Sequence, residues 1–287
     1  MPVPGRPPPA SKYTERFHTM RLGFDLDGTL ADLQGALGRT AAALFPGIDP
    51  STLPRSLSPS AAEAAPAAAD APEAELADGS PEPPATWSAS ALTSRQQREL
   101  WAAVCARANF WESLDELEPG ALARLSRLAR ERRWEIIFLT SRPETAGDTA
   151  QMQSHRWLAA HGFESPSVFV VHGSRGKIAS ALALEVLVDD RPENCLDVAI
   201  DSSARPILVW RGDEGKVPGS ARQLGIGAVA SINECLDILE LIDRPDAGGA
   251  GMIDRLKRLL GLKPRAQRPR GAAADAATPA ASTRPAG

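Results

Sequence analysis

Two carboxylates, Asp25 and Asp27, stand one residue apart in the stretch R-L-G-F-D-L-D-G-T-L-A-D (Arg21–Asp32), at the end of a short apolar run. Charged groups at the end of a buried strand cost several kcal/mol unless a metal or a hydrogen-bonded partner compensates them. Three further polar sites follow: Thr140–Ser141 after W-E-I-I-F-L, Lys177 in G-S-R-G-K-I, and Asp189–Asp190 closing E-V-L-V-D-D. Each alone has a plain reading: a helix cap or solvated turn for the acids, a turn hydroxyl for Thr140, a solvated helix residue for Lys177. Together they describe a chemistry. Crowded carboxylates repel and raise one another's pKa. A divalent cation removes that conflict, and hard oxygen ligands of this kind select magnesium. A lysine and a hydroxyl beside them make an anion pocket suited to phosphate. The combination points to phosphoryl transfer.

The elements that must position these groups alternate along the chain. Arg21–Phe24 reads as a strand leading to Asp25. Pro119–Arg132 has Leu122, Leu125 and Leu128 at helical spacing, and Trp134–Thr140 is an apolar run. Gln151–Ala160 predicts a helix closed by Gly162, and Ser167–Val171 a strand. Lys177–Leu184 predicts a helix and Glu185–Asp190 a strand. Pro192 suits the first turn of another helix, before the strand Pro206–Trp210. Ser231-Ile-Asn-Glu234 has capping-box spacing ahead of a Leu-rich helix to about Ile242. Short continuous apolar runs separated by helices indicate a parallel sheet covered on both faces, hence a three-layer, Rossmann-like α/β domain. Ligands bind beyond the C-terminal strand ends of such sheets. Asp25, Thr140 and Asp189–Asp190 all fall there.

Composition sets the outer limits. The chain has 287 residues, 43% hydrophobic and 24% charged, which is ordinary globular usage. A net charge of -4 gives no chain-wide preference for a nucleic-acid polymer. Cys105, Cys195 and Cys235 are odd in number, widely spaced and without zinc spacing, which fits a reducing compartment. No apolar run is long enough for a membrane span and no signal peptide is recognisable, so a cytoplasmic protein is expected. Residues 1–19, about 50–90 and the tail from about 263 are rich in Pro, Ala, Ser or charge and read as disordered. His155, His161 and His172 show no triad or metal spacing.

The ordered series D-L-D-G-T-L, I-I-F-L-T-S-R, a lysine, then V-L-V-D-D-R-P resembles the four-motif pattern of the haloacid dehalogenase (HAD) superfamily, over residues 20–32 and 113–245. The wording of P-G-A-L-A-R-L, L-T-S-R-P and D-D-R-P is also similar to its 5'(3')-deoxyribonucleotidase branch. The resemblance implies a magnesium-dependent phosphomonoesterase. Asp25 would be the nucleophile, and Asp27 the acid and base, with its backbone carbonyl reaching the metal. Gly28 would provide the tight turn beside the phosphate, with Thr29 helping to fix it. Thr140 and Ser141 would bind phosphoryl oxygens, and Lys177 would offset their charge. Asp190, with Asp189 supporting or sharing the role, would complete the metal site with Asp25 and Asp27. In the nucleotidase-like branch a lysine lies early in the helix after the second motif. E-T-A-G-D-T-A-Q-M-Q-S-H-R-W has none, which leaves Lys177, with Arg142 or Arg156 as substitutes.

The resemblance further implies a helical cap inserted after the first strand, here residues 33–112. Leu33–Phe45 and Arg95–Leu114 each read as an amphipathic helix flanking the Pro/Ala-rich stretch. Trp101, Phe110 and Trp111 either pack the cap's own core or stack on a base or sugar. Gly251–Lys263 has apolar and basic faces and predicts a C-terminal helix that packs on the core or docks on an anionic surface. The substrate expected is a small phosphorylated metabolite, with a nucleoside monophosphate or a sugar phosphate as candidates. A non-catalytic binding protein recruiting partners through its Pro/Ala segments is the reading from another class.

Overall fold

The computed structural model describes residues 19–49, 53, 92–213 and 216–243. The expectations for the N-terminal stretch, for most of the Pro/Ala-rich segment and for the tail with its Gly251–Lys263 helix fall outside these residues.

Six parallel strands form one sheet: β1 (Arg21–Asp25), β2 (Glu135–Thr140), β3 (Ser167–Val170), β4 (Val186–Asp189), β5 (Arg205–Val209) and β6 (Gly227–Val229), in the order β3-β2-β1-β4-β5-β6. Helices separate them: α1 (Leu33–Leu44), α2 (Ser94–Ala106), α3 (Ala121–Arg132), α4 (Ala150–Ala160), α5 (Arg175–Ala181), α6 (Pro192–Asp201), α7 (Gly219–Gln223) and α8 (Ile232–Ile242). This is the three-layer α/β architecture expected. Alternation along the strands divides the core. Leu22, Phe24, Phe138, Val186, Val188 and Ile207 pack on one face, while Ile137, Leu139 and Leu187 join Ala179 and Val198 on the other.

The chain runs from β1 outward to β3, then returns to β4 on the other side of β1. The switch point of the sheet therefore lies between β1 and β4, where a crevice opens at the C-terminal strand ends. Parallel registers such as Phe24 with Val188 bring Asp25 and Asp189 to the same rim.

Local chemistry moved some boundaries. The helix expected over Lys177–Leu184 begins at Arg175, because the Ser174 hydroxyl accepts the Lys177 N–H and caps it earlier. It ends where Ala183 turns to φ 51°. Strand β6 was not foreseen, since G-I-G-A-V-A is short and glycine-rich, and its pairing with β5 is a tertiary contribution. The Ser231 hydroxyl accepts the Glu234 N–H as its spacing predicts, while the Glu234 carboxylate accepts from the Ala230 N–H. Thr93 with Gln96 adds a capping box ahead of α2.

Helices α1 and α2 stand on either side of the Pro/Ala-rich stretch in sequence. Helix α2 ends at Ala106, short of the expected Leu114, with a separate 3-10 turn at Phe110–Ser113. Trp101, Phe110 and Trp111 are buried in the same apolar cluster as Phe24 and Phe138. Core packing, not base stacking, is what these rings do here.

Gly23 on β1 sits where a Cβ would lie 2.6 Å from Leu184 Cδ1 and 2.8 Å from Leu187 Cδ1. Replacing Gly23 with Ala is expected to destabilise the chain by about 1–3 kcal/mol. Urea unfolding reads this as a lower midpoint at an unchanged slope. An unchanged midpoint would show that this face of the sheet has room to spare.

Candidate active site

Three carboxylates meet at the switch point. Asp25 closes β1, Asp189 closes β4 and Asp190 follows it. One oxygen from each lies within 4.8 Å of the others. Asp25 and Asp189 are buried. Burial, and the charges of Asp189, Asp190 and Asp27, push the Asp25 carboxyl well above the usual range, against the pull of Arg175. Burial raises Asp189 as well, opposed by Arg175, the Arg191 N–H and the Asn194 amide. Burial and then Asp189 lift Asp190 to about 7. The cluster is short of positive charge.

One arginine answers part of that deficit. Arg175, the first residue of α5, is 4% exposed. Its Nη2 donates to Asp25 Oδ1 at 2.9 Å and to Ser141 Oγ at 3.1 Å, and its Nε lies 3.9 Å from Asp189 Oδ2. Its Nη1 is buried with no hydrogen-bond partner. A buried, unpaired N–H group beside carboxylates fits an anionic oxygen that completes the site. Arg175, not Lys177, stands against Asp25. The Lys177 side chain is exposed, and its backbone N–H serves the Ser174 cap.

The second carboxylate of the D-x-D pair faces elsewhere. Arg142 donates to Asp27 through Nε (3.1 and 2.9 Å to the two oxygens) and through Nη2 (2.7 Å to Oδ1), a two-point fork. Thr140 Oγ1 donates to Asp27 Oδ2 at 3.0 Å. The Arg142 side chain is itself fully buried, bonded to Ser154 Oγ and lying 4.9 Å from the Trp111 ring centre and 5.8 Å from that of Trp157. The Asp27 carboxylate is thus outside the Asp25–Asp189–Asp190 cluster, and Thr140, expected on a phosphoryl oxygen, is committed to Asp27. Ser141 remains beside Arg175. Arg156, the other proposed substitute, bridges Glu112 and Asp148 at the surface.

Gly28 has φ +86°, and a Cβ there would collide with Asp190 Oδ2. Its N–H donates to Ala31 O at 3.0 Å, so it closes the turn and leaves no donor for a phosphate. Thr29 Oγ1 donates to Asp190 Oδ1 at 3.2 Å and ties that turn to the cluster. Both oxygens of Asp189 accept from neighbours, the Arg191 N–H at 2.8 Å and the Asn194 amide at 2.9 Å. Asp190, held only by Thr29 among these bonds, is the freer ligand. The donor set is all oxygen and anionic, which fits magnesium.

No family model matches the chain, and no curated protein does. Solved structures do. A protein assigned as a beta-phosphoglucomutase, from Thermotoga maritima, aligns over 78% of this chain and 99% of its own at 17% identity and a TM-score of 0.42. A haloacid dehalogenase-like hydrolase from Streptococcus pneumoniae aligns over 77% and 98% at 13% identity and a TM-score of 0.42. Identities and scores this low carry nothing about the chemistry of this chain.

A carboxyl raised in the fold binds its proton more tightly there than in the unfolded chain. The contribution of Asp190 to stability is therefore fully present below the unfolded value of 3.8 and is lost as pH rises through about 7. Asp25 and Asp189 add to that loss. In a chelator, Tm should drop by about 5 °C or more between about pH 5 and about pH 8, and excess magnesium should restore most of it at the higher pH. Thermal scans of wild type and Asp190→Asn check this. A drop of the same size in the variant would sink the assignment to Asp190.

Proposed function

We propose that this chain is a magnesium-dependent phosphomonoester hydrolase of the haloacid dehalogenase type, working through an aspartyl-phosphate on Asp25. The observation that carries the reading is the buried Asp25–Asp189–Asp190 cluster, with Arg175 lying against it and one guanidinium nitrogen unpaired. Such a site is deficient in cation and holds a ready donor for an anion.

Asp25, Asp190 and the Asp27 carbonyl would hold the ion, with Asp189 supporting Asp190. When bound, magnesium screens a phosphate dianion from the carboxylate that must approach it. The remaining work belongs to side chains. Asp25 attacks phosphorus, and the bond to the leaving oxygen breaks as that oxygen takes a proton from Asp27. Water then attacks phosphorus, gives its proton to Asp27, and the Asp25–phosphorus bond breaks. Arg175 Nη1, buried and without a hydrogen-bond partner, would donate to a phosphoryl oxygen in both steps. In the geometry seen, both Asp27 oxygens accept hydrogen bonds. Proton donation therefore requires this carboxyl to release Arg142 or Thr140.

The substrate class proposed is a small phosphorylated metabolite, with nucleoside monophosphates first in a panel because of the nucleotidase-like wording of the motifs. Turnover of 4-nitrophenyl phosphate should require magnesium and fall at least about 1000-fold in Asp25→Asn. Arg175→Ala should lose about 100-fold, whereas Lys177→Ala should stay within about twofold of wild type. Equal turnover by Asp25→Asn would refute the nucleophile. Full activity of Arg175→Ala with loss in Lys177→Ala would return the role to the lysine. A folded, magnesium-binding chain inert on the whole panel would favour a binding protein.

A further inference from the structure

We infer that Arg211, braced by Glu118, is a positioning residue that fixes the peptide carrying Asp27 to Thr29 for magnesium. This rests on the phosphohydrolase reading above and extends it to residues that touch no reacting atom.

Arg211 lies just beyond β5, more than 180 residues from the turn it grips. Its Nη1 donates to Gly28 O at 2.7 Å and its Nη2 to Thr29 O at 3.0 Å. The same Nη2 donates to Glu118 Oε1 at 2.6 Å. Glu118 is anchored in turn. Oε1 accepts the Ile232 N–H at 2.7 Å, and Oε2 accepts the Asn233 N–H at 3.2 Å, both at the start of α8. The pair is largely buried, 20% and 17% exposed. Glu118 closes the segment by which the chain returns from the insert, whose neighbours Asp115 and Leu117 bond to Asp32 and Leu30.

The arrangement matters because this turn is under opposing demands. Gly28 provides a positive φ but little rigidity. Thr29 donates to Asp190 on one side, and the Asp27 carboxylate accepts from Arg142 on the other. One planar guanidinium holds the carbonyls of Gly28 and Thr29. It so fixes the two peptides that follow the Asp27 carbonyl, and the backbone of Thr29, whose hydroxyl donates to Asp190. The Asp27–Gly28 peptide itself is closed by the Gly28 N–H on Ala31 O. A lysine could not span all three acceptors. Removing a metal ligand's own hydrogen-bond partner typically costs about 10-fold to 100-fold in affinity. Arg211 acts one bond further out, through Thr29 on Asp190, so the lower end of that range applies.

The test is magnesium titration calorimetry on the full chain without phosphate, with Tm and steady-state kinetics alongside. Arg211→Met should weaken magnesium binding by about 10-fold and lower kcat at saturating metal, with KM within about twofold. Arg21→Met is the structural control, since Arg21 ties the opposite end of β1 to Glu135 and to Leu182 O, away from the turn. It should lose Tm and keep its magnesium affinity. If Arg211→Met binds magnesium as wild type does, whatever its Tm, the inference is overturned and the phosphohydrolase reading stands. If Arg211→Met does not fold, Glu118→Gln reads the same link. It should weaken binding on the order of threefold, and unchanged affinity overturns the inference. A wild-type chain that binds no magnesium overturns both, and wild-type turnover by Asp25→Asn identifies that case.

Discussion

Mutual repulsion among buried carboxylates is the constraint around which the rest of this site is arranged. Asp25, Asp189 and Asp190 share one rim of the sheet, where burial strengthens every interaction between them. A strand end without function would hold an apolar residue or a single cap there. Arg175 relieves part of the repulsion, but one guanidinium against three carboxylates leaves a net negative pocket. The remaining deficit is what suits the proposed ligands: a small hard cation and, at the unpaired Arg175 nitrogen, an anionic oxygen.

The sheet makes this crowding possible. Reversal of strand order beside β1 leaves a crevice between β1 and β4, and Arg175, the first residue of α5, reaches the acids there. Two sides of the layered core then serve the two acids of the D-x-D pair differently. Asp25 meets Arg175 from α5, on the side packed by Leu187 and Ala179. Asp27 meets Arg142, which is wedged between Trp111 and Trp157 on the opposite side. Acids two positions apart in sequence thus occupy separate electrostatic environments, as the proposed acid–base and nucleophile require.

The insert is joined to this chemistry through packing. Trp111, in the turn before the chain returns to the core, donates through its indole to Pro143 O at 3.0 Å and lies over Arg142. Its backbone N–H reaches Gln153 at 3.0 Å. The residues that close the insert therefore also fix the arginine that holds Asp27. Substitutions in the insert's aromatic cluster reach the proposed acid–base without touching substrate.

The sequence by itself determined the fold class and the acids. Apolar runs of strand length ending in Asp25, Thr140 and Asp189, separated by helical periodicity, specify a parallel sheet with those residues at one rim. This works because strand burial and helix amphipathicity are local patterns. Tertiary structure alone decided the partners. Arg175 and Lys177 sit in one short motif, G-S-R-G-K-I, and nothing local distinguishes them. Which of them turns inward depends on the close approach of α5 to α6, where a Cβ on Gly176 would strike the backbone of Asp197. The fork from Arg142 to Asp27 spans 115 residues, and the grip of Arg211 on Gly28 spans 183. No periodicity or spacing encodes such pairings, since an arginine has the same local signature in solvent as in a buried ion pair, and only the packed chain supplies the second charge.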